Sequence, residues 1–214
     1  MGRAVNVCEI FRSIQGESTH AGRPCVFVRL SGCNLRCRYC DTTYAYEGGE
    51  SLSAPAVRER IAALECGRIE FTGGEPLLQA KAIDLMNALA GEGRDVLVET
   101  NGSRDISVLD ARIAAIVDMK GPSSGESAKM DLGNFTRLRG RDELKFVIGD
   151  QADYAHMRAL LPRVDCRRNT VNVSPLYGAL APADLAAWIL ADGLDVRLNL
   201  QQHKYIWPPD ARGV

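Results

Sequence analysis

Short apolar runs and stretches of helical period take turns along almost the whole chain, and no other feature of the sequence limits the fold as strongly. Residues 5–13, 25–30, 68–71, 95–100, 114–119, 143–148, 170–173 and 195–200 read as strands, each a short and largely apolar run. Between them lie helical patterns. Ser53 is an N-cap ahead of Pro55, with Val57, Ile61 and Leu64 on one face and Gly67 as the stop. Residues 77–90 carry Ile83, Met86 and Leu89 at helical spacing, 153–161 carry Tyr154, Met157 and Leu161, and 182–190 form a last helix. Strands alternating with helices predict a parallel sheet with crossover helices. The count, six or seven strands plus the N-terminal one, falls short of a closed eightfold barrel. The expected fold is therefore α/β, a partial, open β/α barrel with a reduced number of helices. With 214 residues and neither repeats nor a low-complexity linker, residues 1–214 are expected to form one domain with an N-terminal strand extension and a C-terminal tail.

A formal net charge of −1 argues against nucleic acid as a partner. No run of eighteen apolar residues is present, so no membrane span is expected, and the first residues lack an apolar signal core. Seven cysteines without a secretion signal fit a reduced cytoplasm and a metal site better than a disulfide framework. Cys8, Cys25, Cys66 and Cys166 are scattered and read as small buried hydrophobes.

Cys33, Cys37 and Cys40 are spaced C-x3-C-x2-C directly after the strand at 25–30. Closed zinc sites and most cubanes take four protein ligands. Three cysteines on a four-iron cluster leave one iron open to a ligand. The alternative is a zinc knuckle that borrows Cys25 or Cys66, which would make the chain a zinc-stabilised binding module. Colour separates the two, since a cubane is brown and zinc colourless. Further strand ends face the same side in a parallel sheet: Thr72-Gly73-Gly74-Glu75-Pro76, Asp118-Met119-Lys120-Gly121-Pro122-Ser123-Ser124 and Ser174-Pro175-Leu176-Tyr177. Each is also compatible with an ordinary turn.

The cysteine spacing, with Tyr39 before the third cysteine and the Gly-Gly-Glu-Pro turn, resembles the radical S-adenosylmethionine (radical SAM) superfamily. That resemblance implies a [4Fe-4S] cluster on Cys33, Cys37 and Cys40 whose open iron chelates SAM, and reductive cleavage to a 5′-deoxyadenosyl radical. It also implies SAM contacts from Tyr39, Cys40, Asp41, Gly74, Glu75, Lys120, Ser123, Ser174, Pro175, Leu176 and Tyr177, with Glu75 accepting from the SAM ammonium. Further segments narrow the resemblance. Glu9-Ile10-Phe11-Arg12-Ser13-Ile14-Gln15-Gly16-Glu17, Gly22-Arg23-Pro24, Cys40-Asp41-Thr42 and the ending from Gln201 to Pro209 resemble the 7-carboxy-7-deazaguanine synthase family.

Members of that family contract 6-carboxy-5,6,7,8-tetrahydropterin to 7-carboxy-7-deazaguanine with loss of ammonia, on the route to queuosine. The resemblance implies substrate contacts from Ile14, Gln15, Gly16, Glu17, Arg29, Thr72, His203 and the Val214 carboxylate. Arg29 suits a carboxylate bidentately. Mg²⁺ on Thr42 is implied too, in the manner of a cation held by one protein oxygen and several substrate oxygens. A flavodoxin-like electron donor and a homodimer are further implications. A small activase that places a glycyl radical on a partner enzyme shares the cysteine motif and is the alternative, but it has no use for the pterin-type N-terminal segment.

Overall fold

The computed structural model describes residues 4–214. One sheet holds nine strands: β1 (Ala4–Ile14), β2 (Pro24–Leu30), β3 (Glu50–Ser53), β4 (Arg68–Gly73), β5 (Asp95–Thr100), β6 (Ala114–Asp118), β7 (Glu143–Ile148), β8 (Val171–Pro175) and β9 (Arg197–Leu198). Their order is β3-β1-β2-β4-β5-β6-β7-β8-β9. From β2 onward, β4 to β9 add in parallel, while β1 runs antiparallel to both β2 and β3. The sheet is open, and its helices are few. Four exceed two turns: α1 (Ala54–Ala63), α2 (Ala80–Gly91), and, after the one-turn α3 (Asn134–Arg137), α4 (Gln151–Leu160) and α5 (Pro182–Ala191). A one-turn α6 (His203–Ile206) follows β9.

Three local differences from expectation have simple causes. β3 was not anticipated, because Glu50-Ser51-Leu52-Ser53 has one apolar residue; it exists as an edge partner of Ala4–Val7. β9 is two residues long: Arg197 and Leu198 pair with Asn172 and Val173, and the Asn199 N–H adds one last bond to Val173 O. Glu75, not a helix, opens the segment after β4: its carboxylate caps Leu77 N–H, a 3₁₀ turn covers Pro76–Leu78, and α2 begins only at Ala80.

Side chains alternate across a strand, and here the two faces differ in kind. Val26, Val28 and Leu30 on β2, Ile69 and Phe71 on β4, Val96 and Val98 on β5, Ala115 and Val117 on β6, and Leu144, Phe146 and Ile148 on β7 join one apolar core with the helices. The other parity carries Phe27, Arg29, Glu70, Thr72, Glu99, Asp118, Lys145 and Val147, all bordering a single cavity. β2 and β7 are four strand steps apart, roughly 19 Å in a flat sheet. That both border one cavity shows how far the sheet has curled. A separate small apolar cluster, Leu97, Ala114 and Ile116, packs on this inner face.

The loop between β1 and β2 also reaches the inner face. Thr19 donates its backbone N–H to Glu143, 3.1 Å away, and its hydroxyl donates as well. Asn172 Nδ2 donates at 2.6 Å to Glu143 Oε2, the oxygen that the Thr19 N–H also reaches. Ser18 takes a left-handed φ of 61° to make this bend.

Candidate active site

The cavity occupies about 240 Å³ and opens beside the C-terminal ends of the parallel strands. The cysteine loop forms one wall, with Cys33, Cys37, Tyr39, Cys40, Asp41 and Thr42 all bordering it. Hydrogen bonds fasten this loop to the segments that follow two of the strands, β4 and β6. Glu75 N–H donates to Gly32 O at 2.7 Å, Arg38 N–H to Ser124 O at 3.0 Å, and Arg36 N–H to Glu126 at 2.8 Å. Asn101, just past β5, donates to Asn34 at 3.1 Å and toward Cys33 Sγ at 3.8 Å. Gly74 must be glycine, because a Cβ there would run into the Gly32 carbonyl.

The three thiols suit a cluster. They share one cavity wall with an open volume beside it, and burial pushes the Cys37 thiol up to about 11, a proton that iron ligation would displace. Among the described residues no three His, Cys, Asp or Glu side chains converge on a single-ion site. Cys25 and Cys66, the thiols a zinc knuckle would borrow, do not border the cavity. Cys25 is buried at the start of β2, with Cys66, Arg68 and Asp95 around it at the opposite end of the strands.

Two further groups meet at the cavity. The first surrounds Lys145, whose side chain is 6% exposed: it pairs with Glu17, with Glu99 at 2.6 Å, and more distantly with Asp118 at 3.9 Å. Burial works against the ammonium, but the three carboxylates outweigh it and hold Lys145 well above its ordinary range. Burial likewise raises Glu17, yet Lys145 and His203 keep its carboxyl low, and Gln201 donates to it at 2.6 Å. Glu99 is pushed up, first by burial, despite Lys145. The second group is Arg29, held by Glu9 at 2.6 Å between the rings of Phe11 and Tyr44. Beside the cysteines, Lys120 pairs with Asp118 at 2.7 Å. Asp118 Oδ1 and Tyr39 OH are buried here without a hydrogen-bond partner, two orphaned groups that a polar ligand would satisfy.

The expected site residues divide in two. Gln15, Glu17, Arg29, Cys33, Cys37, Tyr39, Cys40, Asp41, Thr42, Thr72, Gly74, Lys120, Leu176 and His203 all border the cavity. Ile14, Gly16, Glu75, Ser123, Ser174, Pro175, Tyr177 and Val214 do not. Glu75 is wholly buried. Its oxygens are taken by Leu77 N–H, Thr100 hydroxyl and Asn101 N–H at 2.7–2.9 Å, so it braces the turn, where acceptance from an ammonium was expected. Ser123 donates to Asp153, and Ser174 accepts from Asn199 at 3.3 Å. Gly16 packs so tightly under His203 that a Cβ would collide with its ring. Tyr177 is exposed, edge-on to Tyr205, and Val214 is exposed as well. Glu70, Glu99, Lys145, Asn101, Gln201 and Lys204 were missed. The signal for the first three was available: a charge inside a mainly apolar strand, on the parity opposite the core.

The comparisons agree with this architecture. Residues 27–120 match the model of the radical SAM superfamily. The 7-carboxy-7-deazaguanine synthase of Chlorobaculum tepidum is 44% identical, the match covering 98% of this chain and 97% of that one. The enzyme of the same name from Koribacter versatilis is 41% identical, over 98% of this chain and all of the relative. The crystal structure of QueE from Escherichia coli superimposes with a TM-score of 0.79 at 22% identity, covering 94% and 96% of the two chains, and shares the fold. With this identity spread over nearly the full length, the chain belongs to the 7-carboxy-7-deazaguanine synthase family of radical SAM enzymes.

Proposed function

We propose that the chain converts 6-carboxy-5,6,7,8-tetrahydropterin to 7-carboxy-7-deazaguanine with release of ammonia, in queuosine biosynthesis. The observation that carries this reading is the joining of two walls in one cavity: the cysteine loop on one side, and Gln15, Glu17 and Arg29 on the other. As a radical SAM enzyme it uses a [4Fe-4S] cluster and SAM, which together supply a 5′-deoxyadenosyl radical for hydrogen abstraction. In this reading Cys33, Cys37 and Cys40 hold the cluster. Arg29, fixed by Glu9 and two rings, meets the substrate carboxylate, and Glu17 accepts from the amine edge of the pterin. His203 closes the rim over Gly16; burial, outweighing Glu17, lowers its pKa and favours the neutral ring.

Thr42 is the candidate Mg²⁺ ligand. Its hydroxyl donates to Asp41 at 2.9 Å, which leaves its lone pairs for a cation. The whole chain acting as one cytoplasmic radical SAM domain, a flavodoxin-like reductant and a homodimer complete the proposal.

The test is turnover by anaerobically reconstituted protein with SAM, Mg²⁺, a reductant and carboxytetrahydropterin. Deazaguanine product is expected, with SAM regenerated so that 5′-deoxyadenosine does not build up in step with product. An intact cluster that cleaves SAM yet yields no product overturns the reading.

A further inference from the structure

Glu70 lies between Ile69 and Phe71, two core residues, but its own side chain turns to the cavity face, where it is 1% exposed. Among the described residues no cation pairs with it, because Lys145 is taken by Glu17 and Glu99. Its partner is neutral: Gln15 Nε2 donates to Glu70 Oε2. At the other end of the same carboxamide, Gln15 Oε1 accepts from Glu17 N–H at 2.8 Å.

A carboxamide has nearly the same shape in both orientations, and only its partners distinguish them. Here a backbone donor sits at one end and a carboxyl acceptor at the other. The flipped amide would set its own N–H against the Glu17 N–H. Gln15 Nε2 has two hydrogens, and Glu70 takes one. Gln15 itself borders the cavity, so the second hydrogen is the one left for a ligand. Removing Glu70 removes the acceptor that holds the Nε2 end and leaves the carboxamide anchored only through the Glu17 N–H.

We propose that Glu70 is a positioning residue that fixes the Gln15 carboxamide with one N–H available to an acceptor atom, a ring carbonyl or ring nitrogen, on the heterocyclic substrate. The proposal rests on the reading of the cavity as a pterin site. Its electrostatics are consistent with it. Burial first, and then Glu99, push the Glu70 carboxyl up to about 8, so at neutral pH it accepts from Gln15 without adding a third negative charge beside Glu17 and Glu99. The titratable groups around it are Glu17 from the β1–β2 loop, Glu99 of β5, Lys145 of β7 and Cys25 of β2.

The test compares E70V and E70Q with wild-type holoenzyme. Valine keeps the strand but cannot accept; glutamine can still accept. For E70V we expect KM for carboxytetrahydropterin to rise about tenfold, the effect of one unmade hydrogen bond, with kcat within about threefold. SAM cleavage without substrate, which reads the cluster and the SAM wall alone, should stay at the wild-type rate. E70Q should restore KM to within about threefold. An unchanged KM in folded E70V, or an E70Q as impaired as E70V, overturns the proposal. A second measurement stands apart from turnover. In protein labelled with ¹⁵N-glutamine, one Gln15 side-chain proton, assigned by its loss in Q15N, should be displaced downfield in wild type and E70Q and return to the free position in E70V. Persistence of the displaced signal in E70V overturns the proposal even if no substrate turns over. A wild-type enzyme that cleaves SAM but makes no deazaguanine condemns the functional reading instead.

Discussion

The two faces of this sheet are the same strands read at alternate positions, yet they obey different physics. On the helix side Val, Ile, Leu and Phe interdigitate, and what counts is volume. On the cavity side Arg29, Glu99, Asp118 and Lys145 are arranged so that each charge depends on its neighbours. The first face holds the curl of the sheet, and the second uses it. A substitution on the helix side should therefore be felt as lost packing at any pH. One on the cavity side should be felt as lost electrostatic balance, and should depend on pH.

The severest break removes what the cavity carries. Cys37→Ala should lose iron, cluster absorbance and turnover together, while the thermal midpoint of the metal-free protein stays close to that of metal-free wild type; retained turnover would contradict the ligand assignment. Next comes the core. Phe71 is fully buried, and Phe71→Ala should cost about 3–5 kcal/mol in denaturant titrations, by a similar amount at pH 5 and pH 8. Lys145→Met is its counterpart on the other face. It leaves Glu17 and Glu99 buried without a cation, at a cost of about 3–5 kcal/mol near neutral pH. Without Lys145 both carboxyls rise, so the folded mutant takes up protons on acidification and much of the loss should be recovered toward pH 5. A penalty equal at pH 5 and pH 8 would erase the distinction between the faces.

The smallest effect sharpens the comparison. The Glu70 carboxyl is raised from 4.5 to about 8 in the folded protein. Between those values the folded state holds a proton that the unfolded state has released, so this group's contribution to stability is present at low pH and lost as pH climbs toward 8. E70Q removes the titration. Relative to wild type it should gain stability between pH 5 and pH 8 in paired thermal melts, and parallel curves would place Glu70 in a less buried setting than its strand position indicates.

Much of the fold was legible because two periods, 3.6 and 2, are written plainly in the core-facing residues. Val57 and Ile61, or Tyr154 and Met157, are buried where their spacing puts them. β3 was illegible because an edge strand with Leu52 as its only apolar residue takes its pairing from β1 rather than from its own composition. At the site, the cysteine loop and Gln15-Gly16-Glu17 stand out as local motifs, and both border the cavity. The Lys145 network does not stand out. It joins residues from a loop and three strands, and each of its members looks like an isolated charge until the strands are set in register. Glu75 differs in the opposite sense: its motif points to a ligand, and what the motif does not show is that the backbone of its own turn and of β5's end, with the Thr100 hydroxyl, also donates to its oxygens.

The contact between Glu17 and Gln201 joins positions 184 residues apart. Cys33, Cys37 and Cys40, by contrast, belong to the first fifth of the chain. During synthesis the thiols therefore leave the ribosome long before the residues that complete the cavity rim. For most of translation the cysteine loop has no roof from Gln201, His203 or Lys204, and closing so long a loop is slow. A nascent or partly folded chain thus exposes its three thiols to iron, and to oxidants, more fully than the finished enzyme does. Cover over these thiols is among the last things this fold acquires.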